Sequence, residues 1–202
     1  LLDILKDFEL GRPITNENNS ILTSDDDYMI MSLHRHLNLA MIGKPIELEL
    51  FFLKKEHYLI TTSWSNKLIA NRDLLLSKQI YSHFKKENAP LRQAIEFGNK
   101  NTKHKEHYSY PGKRMSEYVR QIENNISILE HNDFCTYSQN AELLLEIKKG
   151  NVPLDVLLSL IEEYEEKLEK AFEKSIIPEK PDEKRINDLI ANIQKEFHKS
   201  KK

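Results

Sequence analysis

The sequence has little cysteine and glycine, and these shortages exclude several kinds of site. Cys135 is the single cysteine among 202 residues, so the sequence allows no intrachain disulfide and no thiolate zinc cluster. That usage fits a reducing compartment, and we expect a cytoplasmic protein. Five glycines leave few positions for glycine-rich phosphate loops, and the sequence contains no Walker-type loop, dinucleotide fingerprint or nucleophile elbow.

Long apolar runs and a strong net charge are also missing. No apolar run approaches the roughly 18 residues that span a bilayer, and the N-terminus shows no signal-peptide pattern, so we expect no membrane partner. The net charge of -2 argues against a globally basic nucleic-acid coat. Because the chain opens with Leu1 and not with an initiator Met, we expect a processed or partial sequence.

Most of the chain shows the three-and-four-residue spacing of apolar side chains that is typical of helices. A share of 31% charged residues suits a helix-rich protein of this kind. The pattern predicts helices at residues 26–41, 66–71, 74–86, 90–97, 113–131, 141–149 and 153–174, and a last helix after residue 181.

Residues 46–52, "IELELFF", alternate apolar and acidic side chains and therefore predict a strand. A second strand is predicted at residues 57–62. Glu47 and Glu49 would share one face of the first strand, since side chains in a strand repeat every second residue. Two interpretations stay open: a solvated face of an edge strand, or a carboxylate at Glu49 that needs a metal ion as its partner.

The segment "TSDDDY" at residues 23–28 also has two interpretations. Two carboxylates one residue apart are a common way to hold Mg²⁺ against phosphates. Short side chains with oxygen atoms also accept the free N–H groups at the start of a helix. We favour the helix cap, because helical periodicity follows at once.

Four segments resemble the predicted nucleotidyltransferases of the DNA polymerase beta superfamily, in the branch associated with RNA repair. The segments are "GKPIELELFF", "LLLSKQ", "GKRMSEYVR" and "KSIIPEKPD", and the similarity covers nearly the whole chain. The resemblance implies an α+β fold, mainly helical, in which a remnant of a mixed sheet packs with a C-terminal helical bundle. Residues 1–62 would be the end of the sheet domain, and residues 63–202 the helical domain.

The resemblance also implies an activity and the residues that serve it. The activity would be metal-dependent attack of a nucleic-acid hydroxyl, that of RNA above all, or of another hydroxyl on the α-phosphate of an NTP. RNA or DNA ends would be the acceptors, and Mg²⁺ or Mn²⁺ the cofactor. Glu49 matches a catalytic, metal-holding carboxylate, whereas Lys113, Arg120, Ser77 and Lys78 match substrate-binding positions.

Three departures separate this sequence from the family pattern: the Gly-Ser loop, the Asp-x-Asp pair on a strand and two histidines of a later helix are all missing. No glycine is followed by Ser, so the Gly-Ser loop that precedes the Asp-x-Asp pair is absent. Arg114 and Glu117 also stand where the family has two histidines. These departures predict a partial or a degenerate nucleotidyltransferase. A non-catalytic nucleotide- or RNA-binding helical module is the alternative, and a purely structural adaptor is a third hypothesis.

Overall fold

The structure is a computed structural model that describes residues 20–22, 27–29, 31–96 and 110–200. Two compact units are present, Leu1–Asn38 and Leu39–Lys202. In the first unit, strands β1 and β2 form an antiparallel pair with Ser20 opposite Met29. The elements in chain order are β1 (Ser20–Leu22), β2 (Asp27–Met29), α1 (Leu33–Met41), α2 (Pro45–Glu49), α3 (Ser63–Ala70), α4 (Gln79–Glu96), α5 (Gly112–His131), α6 (Ala141–Lys149), α7 (Leu154–Lys174) and α8 (Glu183–Ser200).

The expected α+β fold with a remnant of a mixed sheet is wrong. Within the described ranges the architecture is helical, and the predicted strand at residues 46–52 is instead the short helix α2 followed by a turn. Pro45 occupies the first turn of α2, where its missing N–H costs nothing. The buried apolar side chains are Leu48, Phe51 and Phe52, which lie three and four residues apart and so fit a helical surface.

The predicted strand at residues 57–62 is wrong for a related reason. A 3-10 turn, Lys55–His57, opens this segment, and the residues after it are irregular. Leu59 and Ile60 are 97% and 84% exposed, so their β-favouring side chains meet no sheet that would cover them. Strand propensity depends on such packing partners more than on the backbone itself.

The first long helix begins later than the sequence pattern predicts. Asp27–Met29 forms β2, and α1 starts at Leu33. The Ser32 hydroxyl accepts a hydrogen bond from the N–H of Arg35 at 3.3 Å, so Ser32 acts as the N-cap. The helix cap predicted at "TSDDDY" is therefore in the wrong place, and residues 23–26 of that segment lie outside the described residues.

Helix α5 organises the core of the second unit because it packs against both α6 and α7. Its apolar face is buried at Met115, Val119 and Ile122, which lie four and three residues apart and are at most 1% exposed. Close approach to α6 requires a small residue: a Cβ on Gly112 would lie 2.4 Å from the backbone oxygen of Lys148. The Ser116 hydroxyl also donates to the Leu144 carbonyl at 2.8 Å.

Helix α4 continues through Pro90, where the sequence pattern predicts a break between two helices. A proline inside a helix removes one hydrogen bond and normally kinks or ends the helix. The apolar positions Ile80, Phe84 and Leu91 hold one continuous face of α4 in the core, and each is less than 5% exposed. Burial of that face outweighs the local cost of the proline.

No helix in the part of the chain that the structure describes is long and apolar enough to cross a membrane. Helix α3 contacts α8, where the Trp64 and Phe197 rings meet edge to face with centroids 5.0 Å apart. The predicted boundary between two domains at residue 62 stays a prediction.

We predict that Gly112→Ala lowers the free energy of unfolding by about 2–3 kcal/mol, because the new methyl group would force α5 and α6 apart. Urea unfolding followed by circular dichroism measures the change. The control is Glu130→Ala, an exposed position near the end of the same helix, which we expect to change stability by less than about 0.5 kcal/mol. Equal stability of the two variants would contradict this close contact.

Candidate functional site

A cluster of charged and amide side chains lies between the end of α2 and the first half of α5. We call Glu49, Lys113, Glu117, Arg120 and Gln121 the Arg120 cluster. The Arg120 guanidinium is bidentate to Glu117, with Nη2 donating to Oε1 at 2.9 Å and Nε donating to Oε2 at 3.2 Å. Its Nη1 also lies 3.4 Å from both carboxylate oxygens of Glu49. Arg120 therefore holds a carboxylate of its own helix and joins α5 to α2 through the carboxylate of Glu49.

The position of Glu49 follows from the packing of α2. Gly43 adopts φ +85°, and a Cβ there would lie 2.5 Å from the Cα of Ile80, so α2 begins close against α4. At the other end, Arg72 Nη1 donates to the Phe51 carbonyl at 3.2 Å. The Phe52 ring contacts the Phe134 ring with centroids 5.9 Å apart. These contacts fix the last turn of α2, and thus Glu49, beside α5.

The positive and negative charges of the Arg120 cluster offset one another. Burial acts to raise the pKa of Glu117, but hydrogen bonds and charge from Arg120, with help from Gln121 and Lys113, outweigh burial and hold that pKa below its ordinary value. For Arg120, burial acts to lower the pKa, and Glu117 and Glu49 outweigh it, so the pKa lies above its usual value. Two cations and two carboxylates leave the cluster with a formal charge near zero.

The cluster brings together three of the five residues that the resemblance selects. Glu49 and Arg120 are 71 positions apart in sequence and in contact in the structure. Lys113 lies one turn before Glu117 on α5 and acts on its charge. The assignment of these residues to substrate or metal stays a prediction, but their proximity is a property of the fold.

Ser77 and Lys78 take part in a different set of contacts. Ser77 is buried, and its hydroxyl accepts from the N–H of Gln79 at 3.3 Å at the start of α4. The Lys78 N–H donates to the Pro178 carbonyl at 2.9 Å, and its ammonium lies 2.9 Å from Glu179. These contacts join the "LLLSKQ" segment to the "KSIIPEKPD" segment, and they are sufficient to explain both side chains as structural.

Sequence reasoning missed Glu117, Gln121 and Asn88 as members of this polar network. Asn88 Nδ2 donates to Gln121 Oε1 at 2.9 Å, and Gln121 Nε2 donates to Glu117 Oε1 at 3.2 Å. The spacing of Glu117, Arg120 and Gln121 is the three-and-four-residue spacing of neighbours on a helix surface. That spacing could have revealed a polar stripe on α5, although not the partners of this stripe on α2 and α4.

Two buried amides continue the polar face of α5. Asn124 and Asn125 are 3% and 1% exposed. Asn125 Nδ2 donates to the Gln121 carbonyl at 2.8 Å, but Asn125 Oδ1 and Asn124 Nδ2 have no hydrogen-bond partner among the described residues. Each unpaired buried atom costs about 1–3 kcal/mol. The α5 face thus contains polar groups that its own packing does not satisfy.

The donor set of the described residues does not fit the two divalent ions that the resemblance implies. Within the described ranges, no group of three or more His, Cys, Asp or Glu side chains lies together. Glu49 itself faces the guanidinium of Arg120. Asp25 and Asp26 lie outside the described residues. The expected Mg²⁺ or Mn²⁺ site stays a prediction, and we derive no chemical step through it.

No family model, curated protein or solved structure matches this chain. The resemblance to nucleotidyltransferases therefore stays a prediction from the quoted segments. The contacts of the Arg120 cluster are therefore the structural basis for a proposal about function.

We predict that Glu117→Gln lowers the free energy of unfolding by about 0.5–1 kcal/mol at pH 7, a value reduced for the partial exposure of this ion pair. Because the folded-state pKa of Glu117 is depressed, its contribution is present above the unfolded pKa and is lost as pH falls through the folded pKa. The difference between wild type and variant should therefore shrink as the pH is lowered from 7 and disappear once the Glu117 carboxyl is protonated in the folded state. Urea unfolding of both proteins over an acidic pH series measures it, and a difference that grows toward acid would contradict the assignment.

Proposed function

We propose that the Arg120 cluster binds phosphate groups of a nucleotide or of RNA, and that this chain is the substrate-holding helical part of a nucleotidyltransferase. The observation that supports the proposal most directly is the meeting of Glu49 with Arg120 across 71 positions, with Lys113 nearby on α5. Lys113 and Arg120 match phosphate-neutralising positions of the family that the sequence resembles. Both act on the same carboxylate, that of Glu117.

The contact between Arg120 and Glu49 is suited to exchange with a ligand. Both distances from Nη1 are 3.4 Å, longer than the 2.7–2.9 Å typical of a strong ion pair. The side chains of Arg120 and Glu49 are 27% and 25% exposed, so a solute can reach both. A phosphate would offer the planar guanidinium a bidentate partner in place of Glu49.

The carboxylates of Glu49 and Glu117 compete with a phosphate for the guanidinium of Arg120. A phosphate that approaches Arg120 must overcome repulsion from Glu49 and Glu117, and it gains attraction from Lys113 and Arg120. With a net charge near zero, the cluster should bind phosphates modestly and in a salt-dependent manner. Neutralising Glu49 should therefore strengthen the binding of metal-free phosphate.

Nucleotide transfer to an RNA or DNA end is the activity that the resemblance implies for the intact enzyme. That chemistry would need metal-holding carboxylates in addition to Glu49. We therefore assign binding, and no chemical step, to the described residues. Such a role suits the cytoplasm, where NTPs and RNA are present, and the lone Cys135 suits its reducing conditions.

We predict that Arg120→Ala weakens tripolyphosphate and ATP binding by about tenfold, the loss of one charge-assisted bidentate contact. Glu49→Gln should instead strengthen metal-free binding by about threefold, because it removes a competing carboxylate. Isothermal titration calorimetry at low ionic strength, with EDTA present, measures both changes.

The matched control is Lys167→Ala, which removes an exposed cation paired with Glu163 on α7 at 2.6 Å. Its phosphate affinity should equal that of wild type. Unchanged affinity in Arg120→Ala, or an equal loss in the Lys167 control, would contradict a specific site. If Glu49→Gln weakened binding in EDTA, Glu49 would orient Arg120 for the ligand instead of competing with it, and the competition argument would be wrong.

A further inference from the structure

Glu117 is held by a line of amide side chains that begins on a neighbouring helix. Asn88 Nδ2 of α4 donates to Gln121 Oε1 of α5 at 2.9 Å, and Gln121 Nε2 donates to Glu117 Oε1 at 3.2 Å. The same Glu117 oxygen accepts from Arg120 Nη2 at 2.9 Å. We call Asn88, Gln121 and Glu117 the amide relay. It ends on the guanidinium to which phosphate binding is assigned.

The direction of each hydrogen bond in the amide relay is fixed by its two ends. Asn88 Nδ2 also donates to the Phe84 carbonyl at 3.0 Å, and a backbone carbonyl can only accept. The ionised carboxylate of Glu117 can likewise only accept. A flip of either amide would bring two acceptor oxygens face to face. Gln121 must therefore present its Nε2 to Glu117.

Glu117 occupies one edge of the Arg120 guanidinium. Its two carboxylate oxygens accept from Nε at 3.2 Å and from Nη2 at 2.9 Å. Such a bidentate pair adds geometric specificity, because it fixes the plane of the guanidinium. Nη1 lies outside this pair, 3.4 Å from both oxygens of Glu49. The plane that Glu117 imposes thus keeps Nη1 at the place for which Glu49 and a phosphate would compete.

We propose that Gln121 is a positioning residue for phosphate binding and that it acts on Arg120 through Glu117. The proposal rests on the proposed function and adds how the guanidinium is oriented. The side chain of Glu117 is 43% exposed, so without the Gln121 amide it could turn toward water and take Arg120 with it. Because Asn88 belongs to α4, the orientation of Arg120 depends on the packing of α4 against α5.

The test removes one link of the amide relay at a time, with tripolyphosphate affinity measured by calorimetry in EDTA. Gln121→Met removes the amide and keeps a long side chain of good helix propensity. We expect about threefold weaker binding, within the net worth of one hydrogen bond, and a loss of similar size in Asn88→Ala. In a Glu117→Ala background, Gln121→Met should have no further effect. The matched control is Gln194→Met, an exposed glutamine of α8, which should bind like wild type.

A second measurement separates positioning from a general effect on the fold. Burial acts to raise the pKa of Glu117, and Arg120 and then Gln121 act to lower it. NMR titration of the Glu117 carboxyl should therefore show a higher pKa in Gln121→Met than in wild type, and an unchanged pKa in Gln194→Met. An unchanged pKa in Gln121→Met would contradict the hydrogen bond on which the proposal depends.

The affinities can overturn the proposal separately from the proposed function. Wild-type affinity in Gln121→Met, or an equal loss in Gln194→Met, would show that Gln121 does not position Arg120, while the phosphate site would stand. An undiminished effect of Gln121→Met in the Glu117→Ala background would show that Gln121 acts by another route. Absence of tripolyphosphate binding by wild type, or wild-type affinity in Arg120→Ala, would overturn the proposed function together with this proposal.

Discussion

The two-sided environment of α5 is the constraint on which the second unit depends. One face of this helix is apolar and is buried by α6 and α7, with Gly112 permitting backbone contact at its start. The other face carries charged and amide side chains from Glu117 to Asn125, which face α2 and α4. Because the apolar face fixes the rotation of α5, the polar side chains stay beside α2 and α4, where Arg120 and Glu117 are only 27% and 43% exposed. Its groups must find partners where the fold holds them.

Those partners come from segments that are distant in sequence. The end of α2 supplies Glu49, and α4 supplies Asn88. The result is a chain of hydrogen bonds from Asn88 of α4 to the guanidinium of Arg120, with buried amides at Asn124 and Asn125 left partly unsatisfied. A face of this kind is costly for stability alone, since each unpaired buried polar group opposes folding. The proposed phosphate would give Arg120 a further partner on this face.

Helices α5, α6 and α7 could be predicted from the sequence, whereas the unbroken α4 and the short α2 could not. The predicted helix at 141–149 coincides with α6, and α5 and α7 differ from prediction by one residue at their starts, because each has a long apolar stripe and a clear stop at Asn132, Gly150 or Ser175. Residues 46–52 were wrongly predicted as a strand because their alternation covers only a few positions. The spacing of Leu48, Phe51 and Phe52 fits a strand as well as a helix, and only their burial in the structure distinguishes the two. The resemblance selected Glu49 and Arg120, but the Gln121–Asn88 link depends on tertiary packing that no local pattern encodes.

The central claim is that Glu49 and a ligand phosphate compete for Arg120. A double-mutant cycle of Glu49→Gln and Arg120→Ala, with tripolyphosphate affinity measured by calorimetry in EDTA, tests this claim most directly. The account predicts that the gain from Glu49→Gln appears in the wild-type background and vanishes once Arg120 is absent. An equal effect of Glu49→Gln in both backgrounds would show that the two residues act independently on the ligand and would contradict the account.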